Sequence, residues 1–339
     1  MSVETAGVVA QAEVSTRRVL EVSHLTVVID GDGWRVAAVD DVSFHVDRAE
    51  VLGIVGESGS GKSLTALAIM RLVDQPVRIA GGSISFAGRD LMPLKPEEMR
   101  QIRGSQISMI FQDPMTSLDE TFTVGRQLVE LVQAHRKVSR HEADDLATQM
   151  LQRVGIASPK ARMRAYPHEL SGGMRQRVVI AAALILRPAL VIADEITTAL
   201  DATTQAQILE LLIELRKDFG MSVILISHDL GVVNDVADRI AVMYAGHVVE
   251  VGDRSSLLGE PLHPYTQGLL SSRLSLLSSS DYVSVLEGQV PGLRNRPVAC
   301  RFAPRCPNRI ARCTEAMPQL VSVSADRELR CYNPTEWHS

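Results

Sequence analysis

The eight residues GESGSGKS, from Gly56 to Ser63, constrain the fold of this chain more than any other stretch. They follow the apolar run VLGIV, which is typical of a short buried strand, and precede SLTALAIMRLV, whose apolar residues have helical spacing. A glycine-rich loop between a strand and a helix lets several backbone N–H groups face a phosphate chain, and the helix N-terminus adds partial positive charge. The stretch therefore predicts a loop that binds the phosphates of a nucleotide.

The residues of this phosphate loop have separate predicted roles. We expect Lys62 to reach the β- and γ-phosphates and the Ser63 hydroxyl to be a ligand of Mg²⁺. The remaining loop positions contribute mainly backbone N–H groups to the bound phosphates: Ser58, Gly59, Ser60, Gly61 and Leu64. A chance glycine-rich turn explains the pattern less well, because both flanking elements also agree with it.

Apolar strands alternate with helical patterns further along the chain. PALVIADE (188–195) and SVILIS (222–227) are continuous apolar runs, and QAQILELLIELRKDF between them has helical spacing. This alternation predicts a mainly parallel sheet covered on both faces. Asp194 and Glu195 end the first of these strands, at the edge where α/β sheets bind ligands. We expect Asp194 to hold Mg²⁺ through water and Glu195 to act as general base on the attacking water.

Bulk composition narrows the possible functions. With 339 residues we expect one large domain and a smaller one. The net charge of −5 argues against a nucleic-acid binder, which needs a concentrated positive face. The longest apolar run, Val178 to Leu186, is far shorter than the roughly 20 residues that cross a bilayer, and the N-terminus lacks the basic start of a signal peptide. We expect a cytoplasmic protein that reaches a membrane only through a partner.

Four further motifs point to one family. LSGGMRQR (170–177) closely resembles the signature peptide of ATP-binding-cassette (ABC) ATPases and precedes the acidic strand, as it does in that family. Gln112 in IFQDPMTSL resembles the Q-loop residue, TTALD ending at Asp201 resembles the D-loop, and His228 in LISHDL resembles the switch histidine. The resemblance implies an α/β P-loop NTPase fold with a mainly parallel core sheet, an antiparallel β subdomain and a helical subdomain at about 114–180.

The resemblance also implies a mechanism in which two such ATPases pair head to tail. Each nucleotide is then bound between the phosphate loop of one chain and the signature of the other. The signature residues that would touch the partner's γ-phosphate are Ser171, Gly172 and Gly173. An SGG sequence before a helix is a second anion-binding helix N-terminus, which agrees with that role.

Three single residues are assigned by the same resemblance. Gln112 would sense Mg²⁺ and the attacking water, and would link the site to the helical subdomain that faces the membrane subunits. Asp201 would couple the two nucleotide sites. His228 would hold the γ-phosphate and Glu195 in register.

A narrower resemblance covers residues 19–334. IFQDPMTSL, MYAGHVVEVGD, HPYTQGLL and the trailing cysteines resemble the D-type ATP-binding subunits of bacterial dipeptide and oligopeptide importers. This implies an ATP-hydrolysing subunit that powers peptide import, with a second ATPase chain as heterodimer partner. It also implies two transmembrane permease subunits, an extracytoplasmic peptide-binding protein and a place at the cytoplasmic face of the membrane. Import of nickel or another small solute, and a non-transport ABC ATPase, are the alternatives.

The implied domains are an arm at 1–18, a nucleotide-binding domain at 19–260 and a C-terminal region at 261–339. One departure concerns the aromatic residue that stacks on adenine in the family, because Ile29 stands at its expected position. Trp34 is the candidate substitute, with a simple place on the hairpin surface as the alternative.

All four cysteines lie in the last 40 residues: Cys300, Cys306, Cys313 and Cys331. Clustered thiols in a reducing compartment favour a metal site, but the close Cys-x2–4-Cys pairs of zinc sites are missing. Wide spacing suits an iron–sulfur cluster, and the resemblance implies a [4Fe–4S] cluster in a small, loop-rich unit. Zinc and four free thiols remain the alternatives. Six nearby arginines are candidates to offset the charge of a cluster: Arg294, Arg296, Arg301, Arg305, Arg309 and Arg312.

Overall fold

The structure, a computed structural model, describes residues 17–113, 117–196, 201–277 and 288–334. The described residues fall into two units: one combines the chain up to Pro93 with the chain from Leu225 onward, and the other runs from Leu94 to Ile224. Most of the predicted arm and the D-loop positions 197–200 lie outside the described residues.

The first unit contains a four-stranded antiparallel sheet in the order β2-β1-β4-β5. Its strands are β1 (Arg18–Gly31), β2 (Trp34–Asp47), β4 (Val77–Phe86) and β5 (Arg89–Asp90). Valines such as Val27 and Val39 are completely buried and form the apolar face, as β-branched side chains favour. Gly33, with φ +74°, closes the tight turn between β1 and β2. This confirms the predicted antiparallel β subdomain.

A second set of paired strands in the first unit runs in the order β11-β12-β10-β9-β3. These strands are β3 (Val51–Val55), β9 (Arg239–Tyr244), β10 (His247–Asp253), β11 (Val321–Ser324) and β12 (Arg327–Leu329). β3 is parallel to β9, whereas the pairings of β10 with β9 and β12, and of β11 with β12, are antiparallel. The sheet is therefore mixed in this unit.

The second unit is mainly helical around the parallel strands β6 (Ile107–Ile110) and β7 (Leu190–Asp194). Its helices are α2 (Pro96–Ile102), α3 (Val124–His135), α4 (Arg140–Arg153), α5 (Pro159–Arg162), α6 (Gly172–Leu184) and α7 (Ala202–Phe219), with a 3₁₀ turn at Pro167–Glu169. β8 (Ser222–Ser227) crosses the boundary between the units. The Ser139 hydroxyl begins α4 by accepting a hydrogen bond from the Glu142 N–H, and the Glu142 carboxylate accepts one from the Ser139 N–H. The helix predicted for QAQILELLIELRKDF is present as α7.

The helices of the first unit are α1 (Lys62–Ile69), α8 (Leu230–Val236), α9 (Arg254–Gly259), α10 (Pro264–Leu277) and α11 (Arg312–Glu315), with a 3₁₀ turn at Leu293–Asn295. Within the described ranges, no helix combines the length and the apolar character needed to span a membrane.

The serine- and leucine-rich stretch after residue 253 is helical, since it contains α9 and α10. Residues 288–334 are mainly turns and loops, and within them β12 joins the sheet by pairing with β10. The buried carboxylate of Glu250 accounts for this pairing. It accepts hydrogen bonds from the N–H groups of Leu262 (2.9 Å) and His263 (3.1 Å) and from the guanidinium of Arg327 on β12. A buried carboxylate needs such partners, and they come from two separate parts of the C-terminal region, residues 262–263 and β12.

Candidate nucleotide site

The phosphate loop has the tight backbone that its glycines predict. Gly59 and Gly61 have φ values of +77° and +102°, which side chains other than glycine rarely adopt. A Cβ on Gly56 would lie 2.1 Å from the Met243 carbonyl oxygen, so no larger residue fits there. The Ser60 N–H donates to the Glu57 carbonyl at 3.1 Å and closes the turn. Alternating left-handed glycines are the backbone form of an anion-binding nest.

Lys62 lies at the first position of α1, just after this loop. Its side chain is 4% exposed, and Nζ donates to the carbonyl oxygens of Gly56 (2.7 Å) and Glu57 (3.2 Å). The Ser60 hydroxyl is buried and has no hydrogen-bond partner among the described residues. A buried cation, a buried hydroxyl without a partner among the described residues and a helix N-terminus are suited to binding the phosphates of a nucleotide.

Two predicted residues of the second unit contact each other. The Gln112 amide nitrogen donates to a Glu195 carboxylate oxygen at 3.1 Å, although 83 positions separate them in the chain. Glu195 follows the end of β7 and has a φ of +48°, a left-handed value that is costly for a residue other than glycine. Such strain is typical of functional positions, where the backbone is held to aim a side chain. Asp194, one residue earlier, is 5% exposed.

The signature peptide begins helix α6. Ser171 caps the helix by accepting a hydrogen bond from the Met174 N–H at 3.4 Å. A Cβ on Gly173 would lie 3.3 Å from the Thr204 methyl group, so helix α7 approaches closely there. A Cβ on Gly172 would meet nothing within 4 Å, and this residue is exposed. Packing within the chain therefore accounts for glycine at position 173 but not at position 172.

Asp201 and His228 lie at exposed starts of helices. Asp201 caps α7, where its carboxylate accepts hydrogen bonds from the Thr204 N–H (3.0 Å) and hydroxyl (2.7 Å). The backbone hydrogen bond from Thr204, followed by that from the Thr204 hydroxyl, lowers the pKa of Asp201 below its ordinary value. His228 follows β8, just before Asp229, whose carboxylate accepts a hydrogen bond from the Gly231 N–H at 2.7 Å. The carboxylate of Asp201 and the ring of His228 are thus presented at the surface of their own units.

The residues assigned to Mg²⁺ have suitable chemistry. Ser63 offers a hydroxyl and Asp194 a carboxylate, and both are oxygen donors of the kind that Mg²⁺ prefers. The Gln112 amide nitrogen donates to Glu195, and its amide oxygen is the atom of that group with the lone pairs that a metal ion needs. When bound, Mg²⁺ neutralises phosphate charge. The assignment of these three side chains to Mg²⁺ stays a prediction.

Trp34 lies at the start of β2, directly across from Gly31. A Cβ on Gly31 would lie 2.1 Å from the indole ring, so the ring covers this glycine. The guanidinium of Arg294 lies over the ring at 4.1 Å from its centre, which is cation–π distance. The π-face that was predicted for adenine thus has an arginine of the C-terminal region against it. Stacking of adenine on Trp34 stays a prediction.

Several C-terminal arginines have partners away from the cysteines, whereas Arg309 acts electrostatically on Cys306. Arg301 pairs with Asp40, Arg305 with Glu57 and Arg330 with Asp41, and Arg312 lies over the Tyr332 ring. Sequence reasoning missed these contacts, because the paired residues are 248 or more positions apart. The only available signal was a run of arginines without acidic neighbours, which indicates that partners lie elsewhere in the fold.

The four cysteines are unpaired as disulfides. Burial raises the pKa of Cys300 and Cys306, and raises that of Cys331 to about 12. The thiol of Cys331 also interacts electrostatically with those of the other three cysteines, so the four share one neighbourhood. However, among the described residues no group of three or more His, Cys, Asp or Glu side chains is arranged to hold a metal ion. The structure therefore does not support the predicted metal-cluster region.

Comparisons with known proteins agree with this site. A model of the ABC transporter family matches residues 39–198, which contain the phosphate loop, the signature and the acidic strand end. DppD of Haemophilus influenzae, a dipeptide transport ATP-binding protein, is 47% identical over 315 residues, or 93% of this chain and 95% of its own length. The chain belongs to the ABC transporter family. It is an ABC ATPase, and its C-terminal residues 249–313 match a second model, that of the C-terminal region of oligopeptide and dipeptide transporters.

Other relatives of this ABC ATPase give the same result. The oligopeptide transport ATP-binding protein AppD of Bacillus subtilis is 46% identical over 92% of this chain and 96% of its own. Among solved structures, the dimeric ATP-binding cassette MJ0796 with ADP and phosphate has a TM-score of 0.62 at 26% identity, covering 69% of this chain and 98% of that one. A component of the cbiONQ transporter complex of Clostridium perfringens also reaches 0.62, at 25% identity, and covers 77% of this chain and 95% of its own. The predicted ABC ATPase fold is thus confirmed.

Proposed function

We propose that this ABC ATPase hydrolyses ATP to power the import of dipeptides and oligopeptides through a membrane transporter. The observation that carries the peptide assignment is the match of residues 249–313, including HPYT at 263–266, to the C-terminal region of peptide transporters. The names of relatives that are similar over almost the whole chain support the same substrate class.

The proposed chemistry assigns one task to each predicted group. Lys62 binds the phosphates of ATP, and Glu195 takes a proton from the attacking water. Gln112 orients that water and Glu195, a role supported by the 3.1 Å hydrogen bond between the two side chains. His228 holds the γ-phosphate, and the signature glycines act on the nucleotide of a paired ATPase. Asp201 couples the two sites of that pair.

We propose that the working unit is an assembly. It contains a second ATPase chain in a heterodimer, two transmembrane permease subunits and an extracytoplasmic peptide-binding protein, with this chain at the cytoplasmic face of the membrane. Co-purification of these partners with a tagged full-length chain tests the assembly. Recovery of a homodimer, or of no permease, contradicts it.

Transport in proteoliposomes tests the substrate. The assembled complex should accumulate labelled peptides in an ATP-dependent manner, and Glu195→Gln should stop uptake while ATP remains bound. Uptake of nickel or another solute, with no effect of peptides on ATP hydrolysis, would favour the alternative importer. ATP hydrolysis stimulated by nucleic acid and without a permease would favour a non-transport ATPase.

The [4Fe–4S] cluster also stays a proposal. The number, spacing and shared neighbourhood of Cys300, Cys306, Cys313 and Cys331 support it, whereas the arrangement of their side chains does not. Iron and sulfide analysis of anaerobically purified full-length chain should give four irons and four sulfides per chain if it is right. One zinc per chain would favour a zinc site, and four thiols that react freely with a thiol reagent would favour free cysteines.

A further inference from the structure

Glu57, the second residue of the phosphate loop, is held through its amide, its carbonyl and its carboxylate. Its N–H donates to the Tyr265 hydroxyl at 2.9 Å, and its carbonyl accepts from the Lys62 Nζ at 3.2 Å. Its two carboxylate oxygens accept from the two terminal nitrogens of Arg305, at 2.7 and 3.1 Å. Tyr265 and Arg305 come from the C-terminal region, more than 200 positions away in the chain.

Tyr265 and Arg305, the two residues that bind Glu57, are themselves buried in the protein. Tyr265 is completely buried, and its ring lies 4.6 Å from that of Tyr244 and 5.5 Å from that of Phe302, measured between ring centres. Tyr244 and Phe302 meet edge to face at 5.2 Å, an arrangement that aromatic pairs favour. The Arg305 side chain is 5% exposed and forms a two-pronged ion pair, which fixes direction as well as distance.

Arg296 provides a third contact between the C-terminal region and the phosphate loop. The Arg296 guanidinium donates to the Gly59 carbonyl of the loop at 3.2 Å and to the Ala37 and Ala38 carbonyls of β2 at 3.0 and 2.9 Å. A Cβ on Gly246 would lie 2.6 Å from an Arg296 nitrogen, so this approach requires glycine there. Two arginines and a tyrosine of the C-terminal region thus contact the loop directly.

The negative charge of Glu57 makes its ion pair with Arg305 important for the binding of ATP. A carboxylate within a loop that binds polyphosphate repels the ligand unless a cation neutralises it. Arg305 supplies that cation, and Tyr265 fixes the peptide group at the start of the same turn. We propose that Arg305 and Tyr265 are positioning residues for ATP, and that through Glu57 they hold the phosphate loop in its binding form. The C-terminal region is then part of the nucleotide-binding machinery. This inference rests on ATP binding by the loop.

The test measures Mg–ATP affinity of the full-length chain, together with KM and kcat of the assembled complex. Arg305→Gln should raise Kd and KM for ATP about tenfold with kcat within about twofold, because the lost interaction acts on binding. Tyr265→Phe keeps the aromatic packing and should raise KM about threefold, since the Glu57 N–H loses its acceptor. Arg312→Gln is the matched control, because Arg312 belongs to the same segment but lies over Tyr332.

A double variant separates charge from packing. Glu57→Gln in the Arg305→Gln background should bring KM back to within about threefold of the unaltered protein, because no unpaired carboxylate remains. Arg305→Lys should be intermediate, since it keeps the charge but not the fork of donors. If Arg305→Gln does not fold, the KM of Arg305→Lys is compared with that of the unaltered protein instead.

Three results decide the matter. An Arg305→Gln variant with unchanged KM overturns the proposal, and so does a double variant that binds ATP no better than the single one. An increase in KM for Arg312→Gln equal to that for Arg305→Gln also overturns it, since that would indicate general loosening of the segment. If the unaltered chain does not bind Mg–ATP, that result contradicts the ATPase assignment itself, on which this inference rests.

Discussion

The phosphate loop and the signature peptide are both predicted to bind anions at a helix N-terminus, but their surroundings differ. In the loop, Lys62 is 4% exposed and the amide, carbonyl and carboxylate of Glu57 are all hydrogen-bonded within the chain, although Ser58 and Gly59 are exposed. The signature helix begins at exposed residues, and Gly172 has open space around it. Contacts within the chain therefore hold the turn of the loop, whereas Gly172 of the signature is uncovered. The predicted head-to-tail pair would place this uncovered position against the nucleotide of a partner chain.

The largest expected effect is on catalysis and comes from Glu195, which belongs neither to the phosphate loop nor to the signature peptide. Glu195→Gln should lower turnover about a thousandfold at the site this chain builds, because general-base catalysis is lost. ATP binding should persist, since Glu195 is not part of the loop. Single-turnover hydrolysis of labelled ATP by the assembled complex measures this. Near-normal hydrolysis in a complex whose other site is also disabled would contradict the assignment of the base.

The next effect concerns the loop alone. Lys62→Ala should weaken Mg–ATP binding by the full-length chain about a hundredfold, because a buried charge-assisted contact to the phosphates is removed. Equilibrium dialysis with labelled ATP measures it. Unchanged affinity would mean that Lys62 stabilises the loop through its hydrogen bonds to the loop carbonyls and does not bind the nucleotide.

A smaller effect concerns the signature. Gly172→Glu places a carboxylate at the exposed start of α6, where it would face the partner's γ-phosphate. Hydrolysis by the assembled complex should fall about thirtyfold from charge repulsion. Steady-state hydrolysis measures this, with Arg312→Gln as a surface control. Full activity of Gly172→Glu would remove the signature from the partner's site.

The smallest effect belongs to Gly172→Ala. The added Cβ meets nothing within 4 Å, so the stability of the full-length chain should change by less than about 0.5 kcal/mol. Thermal unfolding measures it. Destabilisation by more than about 1 kcal/mol would show that the helix start is packed within the chain.

Sequence reasoning succeeded where the signal was local. The strands before Gly56 and Glu195 followed from continuous apolar runs and the helix at 205–219 from helical spacing, and the phosphate loop followed from its glycines and flanks. The contact of Gln112 with Glu195 agreed with their assignment to the same chemistry.

Sequence reasoning failed where distant partners decide the structure. The stretch after residue 253 contains α9 and α10, and Glu250 accepts hydrogen bonds from the Leu262 and His263 N–H groups between these two helices. The sequence predicts Arg305 as a counter-charge for a metal cluster, and no local pattern shows that it pairs with Glu57, 248 positions earlier. Long-range ion pairs of this kind carry no periodic signal.

The most direct test of the central claim is the affinity of the isolated full-length Gly172→Glu chain for Mg–ATP. If the loop is complete within the chain and the signature acts only on a partner's nucleotide, the Kd should stay within about twofold of the unaltered value. Hydrolysis by the assembled complex should nevertheless fall. A Kd that rises as much as it does for Lys62→Ala would contradict the division of work between the two helix N-termini.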